Sequence, residues 1–187
     1  RGLEMCIRDR YLFPETYRFA EGLTPAELLR EMASRYRAYW SPERRARLDS
    51  IAMSERELVT LASIVEEEAR VPDEREVIAG VYANRLEIGM LLQADPTVQY
   101  ALGEPKERLL YADIDRVADH PYNTYTQPGL PPGPISSPGE AALDAALRPA
   151  DVPYLFFVAR PDGSHVFTRT NREHVNAKNR IQRERGN

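Results

Sequence analysis

The chain carries one cysteine, Cys6, in 187 residues, which excludes an internal disulfide and any cysteine cage for zinc. It also lacks an apolar run near the ~18 residues that a membrane span needs. The longest, Tyr154-Leu155-Phe156-Phe157-Val158-Ala159, is the length of a strand. No basic start followed by an apolar stretch marks a signal peptide. There is no basic stripe either: 25 Lys and Arg are interspersed with 29 Asp and Glu for a net charge of −4, which argues against a nucleic-acid partner. G-x-S-x-G, H-E-x-x-H and G-x-x-x-x-G-K are all missing. The three histidines, His120, His165 and His174, read as structural residues rather than ligands, so neither a metal nor a cofactor is expected. One cysteine fits a reducing compartment and a cell envelope equally well. What remains is carboxylate chemistry.

What is present suits one domain with a sizeable core: 42% apolar and 29% charged residues. Residues 1–10 follow neither helical nor strand periodicity and are set aside as non-native or disordered. Residues 11–50 read as an N-terminal segment, extended across YLFPETY and then helical, and residues 51–187 as the catalytic core. Thr24-Pro25-Ala26-Glu27 is a capping box with proline at the first helical position, opening a helix to about Tyr39. Ser41-Pro42-Glu43 starts a shorter helix ending near Asp49. Ser54-Glu55-Arg56-Glu57 is a second capping box, for a helix to about Arg70. Pro72 opens a third long helix that Gly89 stops, and Asp95-Pro96-Thr97 caps a short helix through Tyr100.

From His120 to Gly139 six prolines exclude both helix and central strand. Tyr122 and Tyr125 favour an ordered, pre-shaped loop over a linker. A short helix near Glu140–Leu147, a hairpin of Tyr154–Arg160 with His165–Thr168, and a last helix capped by Asn171 complete the chain. The fold class is α+β: mainly helical, with a C-terminal β-hairpin and a Pro/Gly-rich active-site loop.

LASIVEEEA at 61–69 is where chemistry becomes arguable. At about 100° per residue, Leu58, Leu61, Val65 and Ala69 centre one apolar face, which Ala62, Val59 and Ile64 widen. Glu67 points away from it, next to Thr60. Glu66 and Glu68 sit at opposite edges of the stripe, where partial desolvation raises a carboxyl pKa and lets it serve as an acid. The wheel does not choose between them, and boundary acids paired with Arg70 or Arg75 would look the same.

Five segments in order carry a resemblance: YLFPETY at 11–17, ASIVEEEA at 62–69, VYANRLEIGMLLQADPTVQYA at 81–101, YNTYTQPGLPPGPISSPG at 122–139 and YLFFVARPDGSHVF at 154–167. In this order and spacing the chain resembles the endolytic murein transglycosylases of the MltG (YceG-like) family. The resemblance implies a lyase acting on peptidoglycan glycan strands in the bacterial cell envelope. It further implies an N-terminal inner-membrane anchor outside this sequence, a catalytic domain on the outer face, and cell-wall synthases as possible partners. Its catalytic glutamate, the first acid after A-S-I-V, falls on Glu66. Glu67 stands where lysine is expected in many relatives.

On this reading Glu66 protonates the leaving glycosidic oxygen, then takes the proton of the sugar's own 6-hydroxyl as that oxygen closes a 1,6-anhydro ring. Gln93, Asp95, Thr97, Asn123, Thr124 and Tyr125 are the candidate substrate-binding residues, with capping as the competing role, above all for Asp95. Glu68 is either a partner that tunes Glu66 or a plain salt-bridging acid. Two other functions stay open: a hydrolytic muramidase with Asp95 or Glu68 as second carboxylate, and a non-catalytic module that binds glycan or docks onto synthases.

Overall fold

The structure, a computed structural model, describes residues 12–14, 22, 24–106 and 109–185. Residues 1–10 and most of YLFPETY lie outside the described residues. Helix α1 (Pro25–Tyr39) starts on its capping box: Thr24 Oγ1 accepts the Glu27 N–H at 3.3 Å and Glu27 Oε2 accepts the Thr24 N–H at 2.8 Å. Helix α2 (Pro42–Ser50) has a one-way cap, Ser41 Oγ accepting the Arg44 N–H at 3.2 Å. Both are fastened to the rest through aromatic and ionic contacts. Phe13 is buried against the Tyr36 and Tyr39 rings. Tyr39 donates to Asp144 at 2.9 Å, and Arg44 pairs with both Glu140 and Asp144. One continuous apolar cluster therefore runs from Tyr36 through Leu147.

Helix α3 (Glu55–Glu68) is capped by the second box and is the centre of the core. Every residue from Leu58 to Val65 is buried, including Thr60, which the helical wheel places on the solvent side with Glu67. The reason is a second cover. Ser63 Oγ accepts the Ile135 N–H at 3.0 Å, and Ser136 Oγ donates to the Ser63 carbonyl at 3.1 Å. The proline-rich loop thus lies on the helix face that amphipathicity would leave wet. Thr60 and Ser63 satisfy their hydroxyls on carbonyls one turn back, at 2.7 Å each.

The helix ends two residues earlier than its pattern suggests, at an extended Ala69. Pro72 opens only a single 3-10 turn, Pro72–Glu74, before helix α4 (Arg75–Glu87). Gly89 follows α4 with φ +66°, as a terminating residue should. Helix α5 (Asp95–Leu102) has Ala94, not Asp95, at its cap position. Helix α6 (Tyr111–Arg116) has no counterpart in the sequence patterning: six residues are too few to show a period.

Helix α7 (Glu140–Leu147) packs on α3, and an antiparallel hairpin of β1 (Phe156–Ala159) and β2 (His165–Thr168) pairs Phe157 with Phe167. The cap of helix α8 (Asn171–Arg185) is Thr170 rather than Asn171. Its Oγ1 accepts the Glu173 N–H and its N–H donates back to Glu173. The mainly helical α+β architecture with its C-terminal hairpin stands. No helix among the described residues is long and apolar enough to cross a membrane.

The hairpin is placed by α4. Ala150 N–H donates to the Glu76 carbonyl at 2.9 Å, and Asn84 Nδ2 donates to the Val152 and Tyr154 carbonyls at 2.7 and 3.0 Å. This close approach requires Gly80, whose missing Cβ would stand 2.5 Å from the Ala150 carbonyl oxygen. Gly80→Ala is therefore expected to cost about 1–3 kcal/mol, read as a fall in Tm of several degrees in thermal unfolding. An unchanged Tm would mean that segment 150–152 is not fixed by α4.

Candidate active site

The last turn of α3 sends its three acids into three surroundings. Glu67 is exposed. Glu66 Oε2 accepts the Gly139 N–H at 3.2 Å, and its Oε1 lies 3.9 Å from Arg75 Nη2. It ties the end of the proline loop to α3 and α4. Glu68 Oε1 accepts the Tyr82 hydroxyl at 3.0 Å and lines a groove of about 1330 Å3. Burial pushes the Glu68 carboxyl up to about 7, and the negative charge of Asp95 adds to the effect. The Tyr82 hydrogen bond and the Arg85 and Arg70 cations pull the other way without offsetting it.

Around Glu68 the groove is lined by Arg85, Gln93, Asp95 and Tyr125, with all of β1 and parts of α6 and α8. Arg85 is buried, donating from Nε to the Leu155 carbonyl at 2.6 Å and from Nη1 to the Leu92 carbonyl. Its guanidinium lies 5.4 Å from the Phe156 ring centre. Tyr125 donates its hydroxyl to Asp95 Oδ1. Burial and the Asp95 charge push the Tyr125 pKa well up, so the hydroxyl stays a donor. Gln93 adopts a left-handed backbone, φ +47°, rare for a residue with a side chain, while its N–H donates to the Thr124 carbonyl at 3.0 Å.

The structure thus brings Gln93, Asp95 and Tyr125 into the groove with Glu68. Glu66 does not line it. Thr97, Asn123 and Thr124 lie beneath it, fully buried and bonded inward. Thr97 Oγ1 donates to the Ala94 carbonyl at 2.7 Å, and Thr124 Oγ1 accepts the Ala94 N–H at 2.9 Å. Asn123 Nδ2 donates to the Ile114 and Val117 carbonyls at 3.0 and 3.1 Å, and its Oδ1 accepts the Tyr125 N–H. These three, expected from the sequence to touch substrate, are buried and shape the loop that carries Tyr125. Asp95, for which capping is the competing role, caps nothing and keeps its carboxylate for the groove.

Tyr82 and Arg85 are not among the sequence's site candidates, and His165 and His174, read there as structural, line the groove. Arg85 left a signal: a cation on the buried side of α4 with Ile78, Val81 and Tyr82 is out of place unless it has a task. His165 lines the groove with Nδ1 2.6 Å from Glu74 Oε2, and its N–H donates to Glu74 Oε1 at 3.0 Å. His174 stacks on Phe156, its pKa lowered first by burial and then by the charges of Lys178 and Arg85. Among the described residues no group of three or more His, Cys, Asp or Glu could hold a metal ion.

A model of the YceG-like family matches residues 6–180. The chain belongs to the YceG-like family. The match begins inside the decapeptide set aside for its lack of periodicity. An endolytic murein transglycosylase from Bacillus subtilis is 42% identical over 171 residues, covering 91% of this chain and 47% of that protein. One from Streptococcus pneumoniae (strain D39) is 35% identical over 181 residues, covering 91% of this chain and 33% of that protein. The chain therefore spans less than half the length of these relatives. A crystal structure of a YceG-like protein from Listeria monocytogenes superposes with a TM-score of 0.79 at 40% identity, covering 89% of this chain and 54% of that one.

The charges around Glu68 make a signed prediction. Asp95→Asn removes a charge that raises the Glu68 pKa and should bring it below about 7. Tyr82→Phe removes a hydrogen bond that lowers it and should move it higher. Titration of the Glu68 carboxyl carbon by 13C NMR in the two variants checks both; shifts of the same sign would refute this account of the site.

Proposed function

We propose that the domain is a lytic transglycosylase acting inside peptidoglycan strands at the β-1,4 bond between N-acetylmuramic acid and N-acetylglucosamine, and that Glu68 is its acid and base. The observation that carries the assignment is a carboxyl that holds its proton to about pH 7 in a large groove, on a chain 42% identical to an endolytic murein transglycosylase. A general acid works best with a pKa near the working pH. The sequence pattern leaves Glu66 and Glu68 equal and the family resemblance favours Glu66. The groove favours Glu68, because Glu66 is turned to the Gly139 N–H and Arg75.

The protonated Glu68 donates to the glycosidic oxygen, and the bond from that oxygen to the anomeric carbon breaks with positive charge developing on the carbon. The carboxylate left behind takes the proton of the muramic 6-hydroxyl as its oxygen bonds to the same carbon. The ring closes to the 1,6-anhydro product, no water is consumed, and Glu68 ends protonated as it began. Asp95, held by the Tyr125 hydroxyl, adds its negative charge to the burial that keeps Glu68 protonated before cleavage and faces the positive charge during it. Gln93 and Arg85 offer donors for hydroxyl, acetamido and carboxylate oxygens. A hydrolytic muramidase would require Asp95 to act as the second carboxylate, ~5–5.5 Å from the first in a retaining enzyme.

On the same proposal the domain works in the bacterial cell envelope, on the outer side of an inner membrane to which an N-terminal segment anchors it, next to cell-wall synthases. The names of its relatives support a role on murein. Incubation with uncrosslinked glycan strands followed by mass spectrometry tests the chemistry. Anhydro-ended fragments are expected. Glu68→Gln should lower their formation at least ~100-fold, and Glu66→Gln far less. Reducing ends would make the enzyme a hydrolase. Loss in Glu66→Gln with retention in Glu68→Gln would return the role to Glu66.

A further inference from the structure

Among the described residues five large apolar side chains are strongly exposed: Leu29, Ile88, Leu110, Tyr111 and Val175. Three of them, Leu110, Tyr111 and Val175, line the same groove as Glu68. Tyr111 is the extreme case, 80% exposed at the start of α6. Leu110 beside it is held in place through its backbone, its N–H donating to Asp113 at 3.0 Å, and Asp113 is paired with Lys106 at 2.6 Å. Val175 comes from α8, a separate element. An aromatic side chain left in water on a braced backbone, at the mouth of a groove, has no role in packing the core.

We infer that Tyr111, with Leu110 and Val175, forms an outer subsite on which a sugar ring of the same glycan strand stacks, at the mouth of the groove and away from the bond being cut. The inference rests on the proposed action on glycan strands. The faces of pyranose rings carry rows of C–H groups that pack on an aromatic ring, while their hydroxyls stay in water at the rim. Exposure supports the separation, since Glu68 is partly buried while Tyr111 stands largely in solvent. So does its size. About 1330 Å3 exceeds the ~300–1,000 Å3 typical of a pocket for one small ligand. There is room for several sugars, and an enzyme that cuts within a strand gains from contacts remote from the scissile bond.

The test uses the Glu68→Gln protein, so that binding is read without cleavage. Its affinity for peptide-free, uncrosslinked glycan strands several disaccharides long is compared with that for a single disaccharide. Tyr111→Ala should weaken long-strand binding about fivefold, leave disaccharide binding unchanged, and be rescued by Tyr111→Phe. Circular dichroism melting should be the same in all variants. Equal loss on both ligands, no loss on long strands, or a change confined to the oligomeric state would overturn the subsite; the last would make the patch a contact between copies. A parent protein that binds strands through Tyr111 but releases no anhydro ends would sink the proposed reaction and leave the subsite standing.

Discussion

A carboxyl group drawn partly out of water, at the end of a helix buried from Leu58 to Val65, sets the terms for the rest of this structure. The backbone of α3 is covered on every side from Leu58 to Val65, so its last turn can neither rotate nor slide without opening the core. Glu68 is delivered from that turn into a place where ionisation is unfavourable. Holding its proton from the usual carboxylate range up to about 7 corresponds to about 3 kcal/mol between the two protonation states. The sign follows from linkage. The folded state binds this proton more tightly than the unfolded chain. Glu68 therefore favours folding at low pH, and that contribution fades as pH rises from the carboxylate range through about 7. The Tyr82 hydroxyl and Arg85 keep the charged form from becoming intolerable. The proposed role for Glu68, giving up a proton and regaining it, needs both forms within reach.

The neighbouring elements can be understood as the frame around that group. The proline loop has its N–H of Ile135 on Ser63 and its N–H of Gly139 on Glu66, two anchors on α3 itself. Its other end is knitted by Asn123 to carbonyls at the end of α6 and just after it, which fixes Tyr125 against Asp95. On the far side α4 uses a glycine to approach residues 150–152 closely, and Asn84 and Arg85 to hold the chain entering β1. The hairpin then presents one whole strand to the groove, and His165 is clasped by Glu74 from the turn just before α4. Loop, helix and hairpin each register against α3 or α4, so the groove inherits the rigidity of the core.

Much of this was readable in advance because it is local. Two capping boxes, Pro25 and Pro42 at first helical positions and Gly89 act over a few residues, and the elements they delimit appear close to where expected. The differences between pattern and structure are of another kind. Thr60 looked solvent-facing because a wheel knows nothing of a loop arriving from residue 135. Asn171 and Asp95 looked like caps because their residue types suit the task, yet Thr170 took one position and Tyr125 engaged the other. Asn123, Thr97 and Thr124 looked like sugar ligands because amides and hydroxyls suit sugars. Buried amides and hydroxyls also suit a loop rich in prolines, which lack N–H donors and need other bonds to hold their shape.

The choice between Glu66 and Glu68 shows the limit most clearly. They stand two residues apart, about 200° around the helix, so only one can face a given groove. Which one does is decided by Gly139 and by Tyr82 with Asp95, residues 14 to 73 positions away. The resemblance to a family points to Glu66, the first acid of the segment, whereas the desolvated carboxyl that lines the groove is Glu68. The same long-range placement separates the two functional alternatives. A lytic enzyme needs one group that is acid and then base, beside a fixed charge; a retaining hydrolase needs a second carboxylate free to attack. Asp95 bound by the hydroxyl of Tyr125 is arranged as a fixed charge, with one oxygen occupied and its position set by an aromatic ring. That arrangement favours internal closure of the sugar over attack by the protein.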